Sequence, residues 1–244
     1  MIGINMNAFQ ISINQKIMKS PYKAILFDLF GTLISVSKAA GDSGRYTADI
    51  LDLDREAWNQ ACFSEHHDIL SETDHLETVR RMAHSLDPTI PLSTIHKAAE
   101  ARQVRFDTAL TAIEPGIIKT LETLSERGLT LGLISNASTG EVRAWSDSPL
   151  APLFTTVHFS CKHGVKKPEP EIYRMALAEM EINSSQALFV GDGSSNEHMG
   201  AKKCGIDSLL VTYFLDTKNK DDLKRRGLGS KGKISHIREL QSRL

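Results

Sequence analysis

Residues 24–33 read AILFDLFGTL: four apolar residues, an aspartate at 28, an apolar pair, then glycine, threonine and leucine. A short apolar run closed by a polar residue suits a strand buried on both faces of a parallel sheet. Four more runs have the same form: LTLGLI before Ser135, TTVHF before Ser160, ALFVG before Asp192 and SLLV before Thr212. Helical patterns separate most of them. Residues 116–127 place Ile117, Leu121 and Leu124 on one side and end at Gly128, a capping residue. Residues 169–181 align Ile172, Ala176, Leu177 and Met180, and 196–204 form a short helix before Gly205. Strands alternating with helices predict an α/β fold, a Rossmann-like doubly wound parallel sheet.

Between 35 and 112 the pattern changes. No strand-like run occurs there, and helical spacing recurs over 43–53, 54–70, 72–86 and 92–110, with Pro88 and Pro91 parting the last two. A loop this long is foreign to a compact α/β unit, so the stretch predicts an inserted helical cap domain. The expected division is a flexible N-terminal extension at 1–20, a sheet-bearing core formed by 21–34 and 113–244, and the cap at 35–112. The Lys-, Asp- and Gly-rich stretch 216–233 predicts a solvated loop.

The 244 residues carry 29 Lys and Arg against 30 Asp and Glu, a formal net charge of -1. That balance offers no broad basic footprint for nucleic acid. No apolar run approaches the ~20 residues of a membrane span. Residues 1–20 lack the basic lead, apolar stretch and small-residue cleavage site of a signal peptide, and Met18 is an alternative start to Met1. Cys62, Cys161 and Cys204 are isolated, with no CxxC pair. This argues against a disulfide framework or zinc site and suits a reducing, cytoplasmic setting.

In an open parallel sheet, ligands bind beyond the carboxyl ends of the strands. Asp28, Ser135 and Asp192 each follow or close a strand, and Lys167 joins them from a loop. Two carboxylates, a hydroxyl and an ammonium therefore converge. Neighbouring carboxylates repel unless a proton or cation intervenes, and Mg2+ is the natural oxygen-liganded solution.

Four motifs carry a resemblance: FDLFGTL at 27–33, ISNAS at 134–138, KKPEPEIY at 166–173 and VGDGSSNEHMGA at 190–201. In this order, with a helical stretch between the first two, the sequence resembles the haloacid dehalogenase-like hydrolases over roughly 21–215. The resemblance implies that Asp28 is the nucleophile of a covalent mechanism, which splits one hard displacement into two easier ones. Gly31 would let the chain leave the strand sharply, and Thr32 would position the reacting group. Ser135 and the Asn136 amide would bind the substrate anion. Lys167, immediately before Pro168, would neutralise Asp28 and the developing charge, in preference to Lys166. Asp28, the Phe30 carbonyl, Asp192 and Glu197 would hold Mg2+, with Glu197 standing where aspartate is commoner. The implied partner is a small-molecule substrate, with no nucleic acid and no membrane, and the chain is expected to be a monomer or homodimer.

Phe30 departs from the family pattern. Most phosphatases of the family carry a second aspartate there, which protonates the leaving group and then activates water. Phenylalanine has no titratable group, and losing a positioned acid or base costs roughly 10²–10⁴-fold. The leading expectation is a Mg2+-dependent phosphatase acting on a small phosphorylated metabolite with a good leaving group. The alternative is a metal-free 2-haloacid dehalogenase-type hydrolase. Halide needs no proton, that branch carries an aromatic residue here, and Ser194-Ser195-Asn196 resemble its Ser-Ser-Asn, but it lacks the Gly191-Asp192 pair. A phosphonoacetaldehyde hydrolase-like reaction would need a cap lysine, and neither Lys38 nor Lys97 has a recognisable context. A binding or regulatory module that kept the fold and lost turnover is a further alternative.

Arg45 follows soon after the first motif, where the dehalogenases carry a substrate arginine, and is the candidate clamp for a substrate anion. For it and for Arg80, Arg81, Arg102 and Arg105, surface salt bridging is the competing and commoner role. Trp58, Phe63 and Phe106 read as cap core. His66, His67, His75 and His84 share no familiar ligand pattern and read as solvated or substrate-facing.

Overall fold

The computed structural model describes residues 20–36 and 46–244. Arg45 and the expected extension up to residue 19, Met1 and Met18 included, lie outside these described residues. The first strand, β1 (Ala24–Phe27), is the AILF run, and all four of its residues are buried. It lies between β2 (Thr130–Ser135) and β4 (Ala187–Gly191), and pairs in parallel with both. β3 (Thr156–Phe159), β5 (Asp207–Val211) and β6 (Gly232–Ile234) complete a six-stranded parallel sheet of order β3-β2-β1-β4-β5-β6.

Alternation along β1 decides which layer each side chain meets. Ile25 and Phe27 join a core with Ile117, Leu121 and Leu124 of α5 (Pro115–Glu126). Ala24 and Leu26 join another with Ile172, Tyr173, Ala176 and Leu177 of α7 (Pro170–Glu179). Both faces are covered, so the continuous apolar runs are explained. Two short helices follow strands or precede them here: α6 (Ser160–His163) after β3 and α8 (Glu197–Lys203) before β5. Strand order reverses beside β1, and Phe27 pairs with Val190, so the carboxyl ends of β1 and β4 open into one crevice.

Between β1 and β2 the chain forms α1 (Thr47–Leu51), α2 (Arg55–Ala61), α3 (His75–Leu86) and α4 (Leu92–Thr111). Asp54 and Asp74 cap α2 and α3, accepting from the Ala57 and Glu77 amides at 2.9 and 3.1 Å. These helices share their own core of Trp58, Val79, Met82 and Ile95. Helix α4 spans two environments: Ile95, Ala98 and Ala99 lie in that core, while Ala109 and Leu110 reach the sheet. Its flank is also tied to the turn after β2. Gln103 donates to the Gly140 carbonyl at 2.8 Å, Arg102 meets Glu141, and Asp107 meets Arg143.

Two expectations need correction. Helix 54–70 stops at Ala61, where the Ser64 hydroxyl donates to the Ala61 carbonyl at 2.8 Å and accepts from the His66 amide at 3.2 Å; further on, Asp68 accepts from the Leu70 and Ser71 amides and from the Ser71 and Thr73 hydroxyls. Such local side-chain bonds compete with helical ones. The stretch 216–233 is not a loop: it holds α9 (Lys220–Arg226) and begins β6, the sheet's sixth strand. Asn219 caps α9 and Asp222 pairs with Arg226 one turn on, so charge supports a helix with no apolar stripe. A three-residue edge strand is too short to show alternation. Helix 43–53 is described only over Thr47–Leu51, within α1. The chain closes with α10 (Leu240–Arg243).

Candidate active site

Asp28 leaves β1 at the crevice and is 3% exposed. Its Oδ2 accepts from the Thr32 hydroxyl at 2.8 Å, and its Oδ1 accepts from the Lys167 ammonium. The chain can turn this tightly because Gly31 has φ +79°, and a Cβ there would stand 2.7 Å from Asp192 Oδ2. Glycine is thus required twice over, for conformation and for the approach of the second carboxylate. Lys167 is buried and also donates to Glu197 Oε2 at 2.6 Å. Lys166 lines the crevice half-buried.

Asn136 has a role the sequence did not suggest. Its side chain donates to the Lys167 carbonyl at 2.9 Å and accepts from the Lys167 amide at 2.8 Å. It therefore fixes the backbone that carries the ammonium. Ser135 ends β2 with its hydroxyl buried and without a hydrogen-bond partner among the described residues. A buried hydroxyl without an internal partner is costly unless something else uses it.

Asp192, Glu197 and Asp28 each offer a carboxylate oxygen within 4.8 Å of the others, the one such cluster among the described residues. Asp192 accepts from the Ser194 amide and from Arg226 Nη1, at 2.8 and 2.7 Å. Glu197 is fully buried, and its second oxygen accepts from the Gly193 amide at 2.8 Å. Arg226 arrives from α9, oriented by Asp222 at 2.7 Å. Its own carbonyl lies so near Gly193 that a Cβ there would meet it at 2.2 Å.

The electrostatics follow from burial and from this count. Were all three carboxylates ionised, they would outnumber the two cations, Lys167 and Arg226, by one negative charge. Burial pushes Asp28 up, against the pull of Lys167, and pushes Glu197 up to about 8. Burial alone would lower Lys167, but Asp28 and Glu197 outweigh it and hold the ammonium protonated. An all-oxygen cluster whose carboxylates are costly to ionise together fits a hard divalent cation, which would take the place of the proton on Glu197.

The crevice continues into a cavity of about 730 Å³, walled by the sheet ends and the irregular segment after α2. Phe30 lies in its wall, edge-on to Phe106 of α4 with ring centroids 5.4 Å apart. The four histidines do not form a metal site: His75 and His84 bond the Ala99 and Ile90 carbonyls, each at 3.1 Å. His67 instead bonds the Cys62 carbonyl and turns Nε2 to within 3.2 Å of Glu141.

Arg102 and Arg105 are corrected from surface residues to buried ones, at 6% and 4% exposure. Arg102 pairs with Glu141, and Arg105 bonds the Thr47 hydroxyl. Arg80 and Arg81 form ion pairs of the expected kind, with Glu77 and Asp68. Trp58 and Phe106 are buried, whereas Phe63 stands 77% exposed at the cavity. Sequence reasoning missed Arg226 altogether. Its only signal was membership of a basic run, and the fold alone carries it 34 positions back to Asp192.

The family model described as haloacid dehalogenase-like hydrolase matches residues 22–205. Protein CbbY of Cereibacter sphaeroides is 29% identical over 200 residues, covering 79% of this chain and 85% of that one. A phosphoglycolate phosphatase of Rhodospirillum rubrum is 28% identical over 202 residues, covering 78% and 80%. A dehalogenase crystal structure superposes with a TM-score of 0.67 at 20% identity, over 91% of this chain and 97% of that one.

Proposed function

Because the chain belongs to the haloacid dehalogenase-like hydrolases, we propose that it is a Mg2+-dependent phosphatase of small phosphorylated compounds, working through a covalent aspartyl intermediate. The observation that carries this reading is the buried group of Asp28, Asp192 and Glu197 around Lys167, three carboxylates whose oxygens lie within 4.8 Å of one another. Similarity to a protein named phosphoglycolate phosphatase supports it.

In this reading Asp28 attacks phosphorus, with Thr32 holding the other carboxylate oxygen in place. Lys167 offsets the charge of the nucleophile and of the transferring group, steadied by Asn136. The free Ser135 hydroxyl and the Asn136 amide are the substrate donors. Water then releases phosphate and restores the Asp28 carboxylate. Asp28, the Phe30 carbonyl and Asp192, with Glu197 in support, would hold Mg2+. When bound, the ion supplies charge neutralisation for the incoming phosphoryl oxygens. Helices α1–α4 act as the cap that excludes water from the crevice.

Hydrolysis of acetyl phosphate and p-nitrophenyl phosphate is expected to vanish in EDTA and return with Mg2+. Turnover unchanged in EDTA would overturn the metal-dependent reading. Chloride release from L-2-chloropropionate without Mg2+ would establish dehalogenase chemistry instead.

Arg226 bears on the cation directly. It occupies an Asp192 oxygen at 2.7 Å, so a metal ion must share that carboxylate with a tethered guanidinium. Arg226→Met is therefore expected to tighten Mn2+ binding about tenfold, as relief of like-charge repulsion near a protein surface predicts. Titration calorimetry or Mn2+ paramagnetic resonance reads this without turnover. An unchanged affinity would show that Arg226 yields at no cost.

A further inference from the structure

The cavity beside Asp28 is more apolar than a small phosphorylated acid requires. Phe30 stands two residues past the nucleophile and packs edge-on against Phe106, which is 6% exposed. Arg102 lies over the Phe106 ring, its Cζ 4.5 Å from the centroid. Across the opening, Phe63 and Leu70 stand 77% and 40% exposed on the segment between α2 and α3. They are two of only seven large hydrophobics so exposed among the described residues. Both line the same cavity as Asp28. Exposed apolar side chains gathered at one pocket mark a ligand surface.

Four polar side chains of the cavity lining are already engaged. Arg102 and His67 both face Glu141, and Asp68 is held by Ser71, Thr73 and Arg81. The volume, about 730 Å³, suits a ring-bearing ligand better than a two- or three-carbon one.

We propose that the substrates are phosphate monoesters of aromatic alcohols, with the aryl group seated against Phe30, Phe106, Phe63 and Leu70. This rests on the phosphatase reading above and narrows it to a substrate class. The chemistry balances without an acid at position 30. An Asp28 oxygen bonds to phosphorus as the phosphorus–aryl oxygen bond breaks, and the electron pair leaves on the aryl oxide, which takes its proton from solvent. Water then attacks the aspartyl phosphate, giving inorganic phosphate and the carboxylate. A stabilised aryl oxide leaves readily where an alkoxide does not, so Phe30 serves selection in place of proton transfer.

The test compares kcat/KM of the full chain with Mg2+ for 1-naphthyl phosphate, 2-phosphoglycolate, glyceraldehyde 3-phosphate and acetyl phosphate. Naphthyl phosphate is expected to exceed the two small esters by about 100-fold, the scale on which a buried aromatic surface discriminates. In Phe63→Ala the ratio of naphthyl phosphate to acetyl phosphate should fall about tenfold. Phe63 is largely exposed, so this variant keeps its fold. Across substituted phenyl phosphates, kcat/KM should fall steeply as the phenol becomes less acidic. Equal or better turnover of the small esters, or an unmoved ratio in Phe63→Ala, overturns the aryl assignment alone. Failure to hydrolyse any of these, acetyl phosphate included, overturns the phosphatase reading and this inference with it.

Discussion

Asp28→Asn is expected to lower kcat for any phosphate substrate by at least ~10⁴-fold, because a carboxamide cannot form the covalent intermediate. The loss should come without loss of fold. Burial raises the Asp28 carboxyl above its ordinary range, so the folded state bears a cost for keeping it charged. A neutral isostere removes that cost, although Lys167 then keeps only Glu197 as a buried counter-ion. The melting temperature is accordingly expected to hold or rise, the common trade between stability and function at a reactive site. Rapid acid quench with 32P-labelled substrate should trap phosphoprotein in the unaltered chain and none in the variant. Retained turnover in Asp28→Asn would remove Asp28, and the crevice with it, from the chemistry.

Glu141→Gln should produce the largest loss of stability, about 3–5 kcal/mol, because it leaves the buried Arg102 guanidinium without its anion. Glu141 and Arg102 are both nearly inaccessible, and their pairing joins α4 to the turn after β2. Replacing both with leucine should recover most of the loss, since the pair costs desolvation at each end. The same residue predicts a pH signature. Burial would raise the Glu141 carboxyl, but His67 and Arg102 outweigh it and hold it at about 2, below its ordinary 4.5. A depressed carboxyl contributes stability in full above 4.5, and this is lost as pH falls towards 2. The difference amounts to about 3 kcal/mol. Urea denaturation between pH 7 and pH 3 should show the decline, and in Glu141→Gln that part of it should disappear. A variant as stable as the original would mean that α4 is held by packing alone.

Much of the fold was legible because local rules decide it. A strand buried on both faces is largely apolar, so AILF, LTLGLI, ALFVG and SLLV announced β1, β2, β4 and β5, and TTVHF the more polar edge strand β3. The places where reading failed are those where charge replaced apolar pattern. Helix α9 has none of its residues buried and is held by a cap and ion pairs, and β6 is only three residues long. Neither leaves a periodic trace. Phe63 was read as core because aromatic residues are usually buried, and only its neighbours reveal that it lines an opening.

The amino-acid pattern alone fixes which residues end the strands, and hence that Asp28, Ser135 and Asp192 lie along one edge of the sheet. It does so because strand ends in a parallel sheet share an edge. How those groups are neutralised depends on long-range folding. Lys167 bridges Asp28 and Glu197, Asn136 grips the Lys167 backbone, and Arg226 closes on Asp192 from the far end of the chain. These are pairings between positions far apart in sequence, chosen by burial and distance, and no local pattern encodes them.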